Sequence, residues 1–186
     1  MITGIGGQGV QLGAQVLARA AALEDRHVMM FGLYGGAMRG GNTDSTVVFA
    51  DSPIAAPPIV SRTWSAIALH HEFWSPLAAK LRPGAVVVVN STLFEGDVDS
   101  AAYRVTEVPA TQTADELGNV MVASMVMIGA YAALTGLMNI ESLTRAMHDA
   151  LPDYRRQHAP LNVEALRAGY ELVPLGAESA WRAGEV

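Results

Sequence analysis

Two hydrophobic periods, one of strands and one of helices, take turns along the 186 residues. The short apolar start Met1-Ile2-Thr3 runs straight into Gly4-Ile5-Gly6-Gly7-Gln8-Gly9, and a strand that short predicts a few further residues ahead of Met1. Val10, Ala14, Leu17, Ala18 and Ala21 then recur at helical spacing, which predicts a helix ending near Leu23. Val28-Met29-Met30-Phe31 reads as a short buried strand. The opening is therefore strand, glycine loop, helix, strand, which implies a parallel pair joined by a right-handed crossover.

A loop with five glycines within residues 32–41 follows, and it holds Tyr34, Arg39, Gly40, Gly41 and then Asn42. Thr46–Ala50 predicts a strand. Pro53 just ahead of it and Pro57 and Pro58 within it keep Ile54–Val60 out of any sheet. Ala66–Leu69 predicts another strand, Glu72–Leu81 a helix ended by Arg82-Pro83-Gly84, and Tyr103–Val108 an edge strand. Ala85–Val89 is apolar without a break, the mark of a central strand buried on both faces. Thr113 and Glu116 stand at capping-box spacing before the apolar stretch Val120–Leu134, and Gly118-Asn119 either bends that helix or marks its start. Ile140–Leu151 predicts a helix capped by Asn139, and Val163–Glu171 a last one capped by Asn162. The expected architecture is a single domain over residues 1–172, an α/β protein with three α/β/α layers and a mainly parallel sheet, followed by a C-terminal arm at 173–186.

Composition removes several classes of function. The chain has no cysteine, so it offers no disulfide scaffold, thiolate nucleophile, cysteine-bound zinc or cysteine-ligated iron–sulfur cluster. A net charge of −6 argues against a nucleic-acid partner. The apolar stretch of fifteen residues at Val120–Leu134 is shorter than the roughly 20 that span a bilayer, so no membrane association is expected. No export signal opens the chain, and a cytoplasmic location is expected. With 51% hydrophobic and only 16% charged residues, part of the surface is expected to lie under other chains.

Gly4, Gly6 and Gly9 match Gly-x-Gly-x-x-Gly between a strand and a helix, where backbone N–H groups can cradle a phosphate. A dinucleotide site also needs an acidic residue at the end of the second strand, and Met30-Phe31-Gly32 has none. The same glycines alternatively serve only close strand-to-helix packing. Arg39, one of eleven arginines against a single lysine, sits among glycines where a guanidinium can grip phosphate or carboxylate; equally, it can pair with Asp44 or Asp51. His70-His71-Glu72 reads as a solvated helix end, with adjacent histidines pointing apart and no third metal ligand. Lys80 is expected in solvent, the Met and Ala stripe 121–133 in core and subunit contact. Trp64, Trp74 and Trp181 are candidates for interface or packing.

Three blocks, GIGGQGVQLGAQVLARAA, YGGAMRGGNTDSTVV with its following SPI, and MVMIGAYAALTG with LNVEALRAGYE, span Gly4 to Glu171. In that order they resemble the gamma subunit or domain of the 2-oxoacid:ferredoxin oxidoreductases, the pyruvate, 2-oxoglutarate and indolepyruvate enzymes; Leu33, Gly36-Ala37 and Ser124 depart from residues common there. The resemblance implies a Rossmann-like fold and a non-catalytic subunit of a hetero-oligomer that oxidatively decarboxylates a 2-oxoacid to an acyl-CoA. Thiamine diphosphate, magnesium and iron–sulfur clusters would reside in thiamine-binding alpha and beta subunits and a ferredoxin-like subunit. This chain would engage coenzyme A and close the active site, through Gly4, Gly6, Gly7, Gln8, Gly9, Tyr34, Arg39, Gly40, Gly41 and Asn42. The competing readings are a stand-alone NAD or FAD module and a purely structural subunit.

Overall fold

The computed structural model describes residues 1–34 and 40–180, with the backbone alone at Tyr34. Its strands are β1 (Ile2–Ile5), β2 (His27–Tyr34), β3 (Asn42–Ala50), β4 (Thr63–Ala68), β5 (Leu81–Asn90) and β6 (Arg104–Val108), and its helices α1 (Val10–Leu23), α2 (Trp74–Ala78), α3 (Ala110–Glu116), α4 (Ala123–Thr135), α5 (Ile140–Ala150) and α6 (Ala159–Glu171). One mixed sheet has the order β2-β3-β1-β4-β5-β6. β1, β4, β5 and β6 are parallel neighbours, whereas β3 runs antiparallel to both β1 and β2.

The expected parallel pairing of β1 with β2 is absent. The two strands run the same way, but the β2–β3 hairpin pairs all eight residues of β2, from His27↔Ala50 to Tyr34↔Thr43, and leaves β1 the other side of β3. β2 is consequently an edge strand rather than a buried one, with Met29, Phe31 and Leu33 at 36%, 39% and 51% exposure. Strand β5 begins earlier than its valine run. Leu81 pairs with Thr63, Arg82-Pro83-Gly84 loop out, and pairing resumes at Val86↔Ser65, so the proline and glycine that suggested a helix stop form an irregularity inside the strand and α2 shrinks to five residues.

Alternation along β5 supplies both faces of the sheet. Val86 and Val88 join Ile2, Ile67 and the inner faces of α1, α4, α5 and α6, while Val87 and Val89 meet Leu77, Trp74 and Phe94. The molecule is thus an α/β protein whose second helical layer is reduced to α2. Twelve consecutive residues of α4, Ser124 to Thr135, are buried by this chain's own elements, which puts Met125, Met127, Ala130, Ala132 and Ala133 of the stripe in the core, while Met121 at its start is 64% exposed. Helices α4 and α6 touch backbone to backbone at Gly129 and Gly169, where an added Cβ would overlap the carbonyls of Leu166 and Val126.

Four polar residues near helix starts divide by local geometry. Asn139 caps α5, its Oδ1 accepting from Ser142 N at 2.8 Å, and Asn119 caps the 3-10 turn at Val120–Val122 that leads into α4 by accepting from Met121 N at 3.0 Å. Asn162 lies inside α6 instead and donates back to His158 O. Thr113 likewise donates to Pro109 O within α3, so the expected capping box does not form. The stretch from Pro174 runs across the end of α4: Gly176, Glu178 and Ala180 donate to the carbonyls of Ala133, Leu134 and Thr135, and Glu178 pairs with Arg104.

Candidate functional site

The carboxyl end of β1 and the amino end of α1 meet in the glycine loop. Gly7 (φ 106°) and Gly9 (φ 81°) occupy the left-handed region, where a side chain is strained, and Gly9 caps α1 without any side-chain acceptor. The amides divide. Gly6 N donates to Gly41 O at 2.8 Å and Gln8 N to Ile5 O at 3.0 Å, whereas Gly7 N and Gly9 N have no acceptor among the described residues. Gly4 sits inside β1, where a Cβ would stand 3.0 Å from Val10 and 3.1 Å from Leu69; there glycine serves packing.

The bond from Gly6 to Gly41 also answers where the second glycine segment goes. It comes back against the first, with Gly40 N and Thr43 Oγ1 within 3.6 Å of the space a Cβ on Gly6 would fill. Asn42 donates through Nδ2 to Asp44 Oδ2, and its Oδ1 is buried without a partner among the described residues. Tyr34 is fixed by its backbone pairing with Thr43. Arg39 lies outside the described residues. Of the two carboxylates weighed as its partners, Asp44 accepts from Thr3 Oγ1 at 2.6 Å, and Asp51 binds Arg26 at 2.7 Å.

Above this junction opens a cleft of about 650 Å³. Its polar side is Gly6, Gly7, Gly9, Thr43 and Ser124; Val10, Leu12, Met121 and Leu161 give it an apolar side, and Arg155 and His158 line it from the 3-10 turn at Asp153–His158. Ser124 and Thr43 line the cleft and are only 4% and 8% exposed. Sequence reasoning missed the contribution of Ser124, Arg155 and His158. Close approach of α1 to α4 brings Ser124 in, since a Cβ on Gly9 would overlap its hydroxyl. A glycine facing a serine more than a hundred residues away leaves no local pattern.

Other candidates resolve into structure. His70 and His71 stack at 4.4 Å rather than diverging, because the His71 ring is held over Leu93 O and Phe94 in the loop before α2. No cluster of three potential metal ligands occurs among the described residues. Lys80 is half-buried, not in free solvent. Trp64 packs on Tyr131 and Trp74 on Phe94 and Tyr103; Trp181 lies outside the described residues. Tyr131 is a core residue whose phenol burial pushes up to about 12 despite its bond to Ser65. The place beside β1 that a ribose-binding strand takes in a dinucleotide fold is filled by antiparallel β3, which disfavours NAD. No helix among the described residues is long and apolar enough to cross a membrane.

Comparison with known proteins extends over almost the whole chain. The family described as pyruvate ferredoxin/flavodoxin oxidoreductase matches residues 1–172. The 2-oxoglutarate synthase subunit KorC of Methanocaldococcus jannaschii is 32% identical over 177 residues, covering 92% of this chain and 91% of its own. Among solved structures, the keto/oxoacid ferredoxin oxidoreductase gamma subunit of Geobacter sulfurreducens superposes with a TM-score of 0.73 at 28% identity, over 91% of this chain and 94% of that one. The 2-oxoglutarate:ferredoxin oxidoreductase of Magnetococcus marinus, solved with 2-oxoglutarate, coenzyme A and succinyl-CoA, shares the fold at TM-score 0.80 and 21% identity, over 92% of this chain and 30% of that longer one.

Proposed function

The chain belongs to the pyruvate ferredoxin/flavodoxin oxidoreductase family as a gamma-type subunit of a multi-subunit 2-oxoacid:ferredoxin oxidoreductase, and on that premise we propose that its cleft engages coenzyme A and helps to close the active site. The supporting observation is the hydrogen bond from Gly6 to Gly41, which joins two side-chain-poor segments at the mouth of an open cleft. Backbone donors there suit the phosphates of coenzyme A, and the apolar side suits its organic portion.

Within this reading Gly7 and Gly9 donate from the loop, Gly6 and Gln8 hold its shape, Gly4 permits the packing beneath it, and Tyr34 and Arg39–Asn42 approach the phosphates or the active-site mouth. Thiamine diphosphate, magnesium and iron–sulfur clusters are assigned to alpha, beta and ferredoxin-like partner chains, where they supply decarboxylation and electron removal. The absence of cysteine from this sequence supports that division for the clusters. The location is read as cytoplasmic.

The test is Arg39→Ala in the assembled enzyme. Loss of a charge-assisted hydrogen bond of about 1.5–3 kcal/mol predicts a KM for coenzyme A raised by roughly ten- to a hundredfold, with the KM for the 2-oxoacid unchanged. An unchanged value for coenzyme A removes Arg39 from the role. A purely structural subunit is favoured by a separate observation, the tight packing at Gly4 and Gly9; in that case no cleft substitution alters the coenzyme A dependence at all.

A further inference from the structure

We propose that the outer edge of β2, with the flank of α1 above it, is a docking surface for a second copy of this chain, the two β2 strands pairing antiparallel about a two-fold axis at Met30 so that the sheets join. The inference goes beyond the coenzyme A reading and does not rest on it.

Edge strands are usually shortened, bulged or guarded by Lys or Pro, because their free N–H and C=O groups pair with any strand they meet. β2 has none of these devices. It runs for eight residues, His27–Tyr34, in unbroken register with β3, contains no Lys, Arg, Asp, Glu or Pro, and pairs with no described element on its other side. Val28 and Met30 pack on the α1 side, while Met29, Phe31 and Leu33 project, exposed, from the opposite face. In a chain of net charge −6, a strand without charge meets its own copy with no like charge opposed.

Symmetry and the pleat together fix the pairing. A two-fold axis perpendicular to the sheet keeps each face on its own side, so odd positions oppose odd and even oppose even. Centred on Met30, the pairing sets Met29 opposite Phe31 of the copy on the open face. On the α1 face Met30 meets Met30, and the side-chain-free Gly32 lies opposite Val28. Helix α1 selects this centre. An added Cβ on Gly32 would overlap the Gln11 amide, which places the start of α1 over the far end of β2, and the helix runs back toward His27. Centring on Met30 therefore lays the two α1 helices side by side and antiparallel for most of their length, whereas centring on Phe31 slides them apart by about 7 Å.

Packing distances agree. Helix α1 lies on both β2 and β3, and with strands about 4.8 Å apart the two helix axes stand about 10 Å from each other, the upper end of helix-packing distances. The line of α1 that faces the copy, Gln11, Gln15, Ala18 and Ala22, is uncharged, and its two alanines leave room for the approach. Seven paired residues at about 3.3 Å and a strand-plus-helix layer roughly 20 Å deep give about 450 Å² per copy, or about 900 Å² in all. That stands close to the ~1,000 Å² of a specific interface, so the dimer depends on concentration.

Light scattering on the full chain should show the mass rising from 19.6 kDa to twice that with concentration. Phe31→Glu, at an exposed position, should hold the mass at the monomer value with unchanged circular dichroism. Adding Met29→Lys to Phe31→Glu should restore the dimer, because the pairing sets these two positions opposite each other. In the assembled enzyme, Met30→Cys should form a disulfide between two copies of this chain, since opposed residues stand about 4.5–5.5 Å apart at Cα. The chain has no native cysteine, so no other disulfide can join two copies, and Val28→Cys should give none. A chain monomeric at every concentration, a dimer that survives Phe31→Glu, a double variant that stays monomeric, or a Met30→Cys enzyme without a disulfide between copies overturns the proposal. A Met30→Cys disulfide to a different subunit overturns it as well, and assigns the edge to that subunit.

Discussion

Gly169→Ala sets two physical effects against each other. By helix propensity alone, alanine in the last turn of α6 should stabilise the helix by at most about 1 kcal/mol. Packing opposes it: a Cβ on Gly169 would lie 2.7 Å from the carbonyl carbon of Val126 and 2.9 Å from its Cα, and closer still to the oxygen. Carbon atoms in contact sit about 3.5–4.0 Å apart, so α4 and α6 must separate by roughly 0.8 Å or more along their closest line. The obstruction is backbone of a helix with twelve consecutive buried residues, which no rotamer change relieves. Overpacking costs about 1–3 kcal/mol where side chains give way, and the upper end applies here. Net of propensity, destabilisation of about 2 kcal/mol is expected, or a Tm lower by roughly 4–8 °C for a chain of this length. Differential scanning calorimetry on the purified chain measures it. A Tm that is unchanged or raised would mean that the helices do not meet backbone to backbone, and the placement of Ser124 would lose its support.

Gly9→Ala meets both a left-handed backbone and the Ser124 hydroxyl, so it should cost about 1–2 kcal/mol from φ strain alone and disrupt the cleft; thermal unfolding within error of wild type would contradict this. Tyr131 ionises near pH 10 when unfolded and about 12 when folded, so the folded state keeps its proton longer. Its contribution is complete below pH 10 and is lost by pH 12, an amount of roughly 3 kcal/mol. Denaturant titrations across that window should therefore show stability falling more steeply in wild type than in Tyr131→Phe, and parallel curves would refute the assignment. Glu178→Ala should remove the Arg104 pair and cost about 1 kcal/mol or less, with faster proteolysis after Val173 as the visible effect; an unchanged cleavage pattern would show that the three backbone bonds to α4 hold the segment unaided.

What could be read from the sequence was local. The strand, glycine loop and helix at the start, the doubly buried valines of β5, and Asn139 as a cap all follow from periodicity and capping chemistry within one segment. The insertion of β3 between β1 and β2 did not, because strand order is decided by pairings among residues 40 apart and Thr46–Ala50 looks the same in either neighbourhood. Pro83-Gly84 read as a stop because these residues usually end elements; here they form a bulge that strand pairing spans. Asn162 and Thr113 resembled caps by type, yet both bond backward to a carbonyl four residues earlier, an option open to the same side chains inside a helix. The site divides in the same way. The two glycine segments were visible, whereas Ser124, Arg155 and His158 reach the cleft only through the packing of α1 on α4 and the turn before α6.

In the proposed function the joined glycine segments face a ligand supplied in the assembled enzyme. A cryo-electron microscopy structure of that assembly with coenzyme A bound measures this directly. A phosphate of coenzyme A is expected within hydrogen-bond distance of Gly7, Gly9 or Ser124, with the thiol end directed toward a partner chain. Coenzyme A bound elsewhere, with the Gly6–Gly41 junction turned to bulk solvent away from every partner chain, would contradict it.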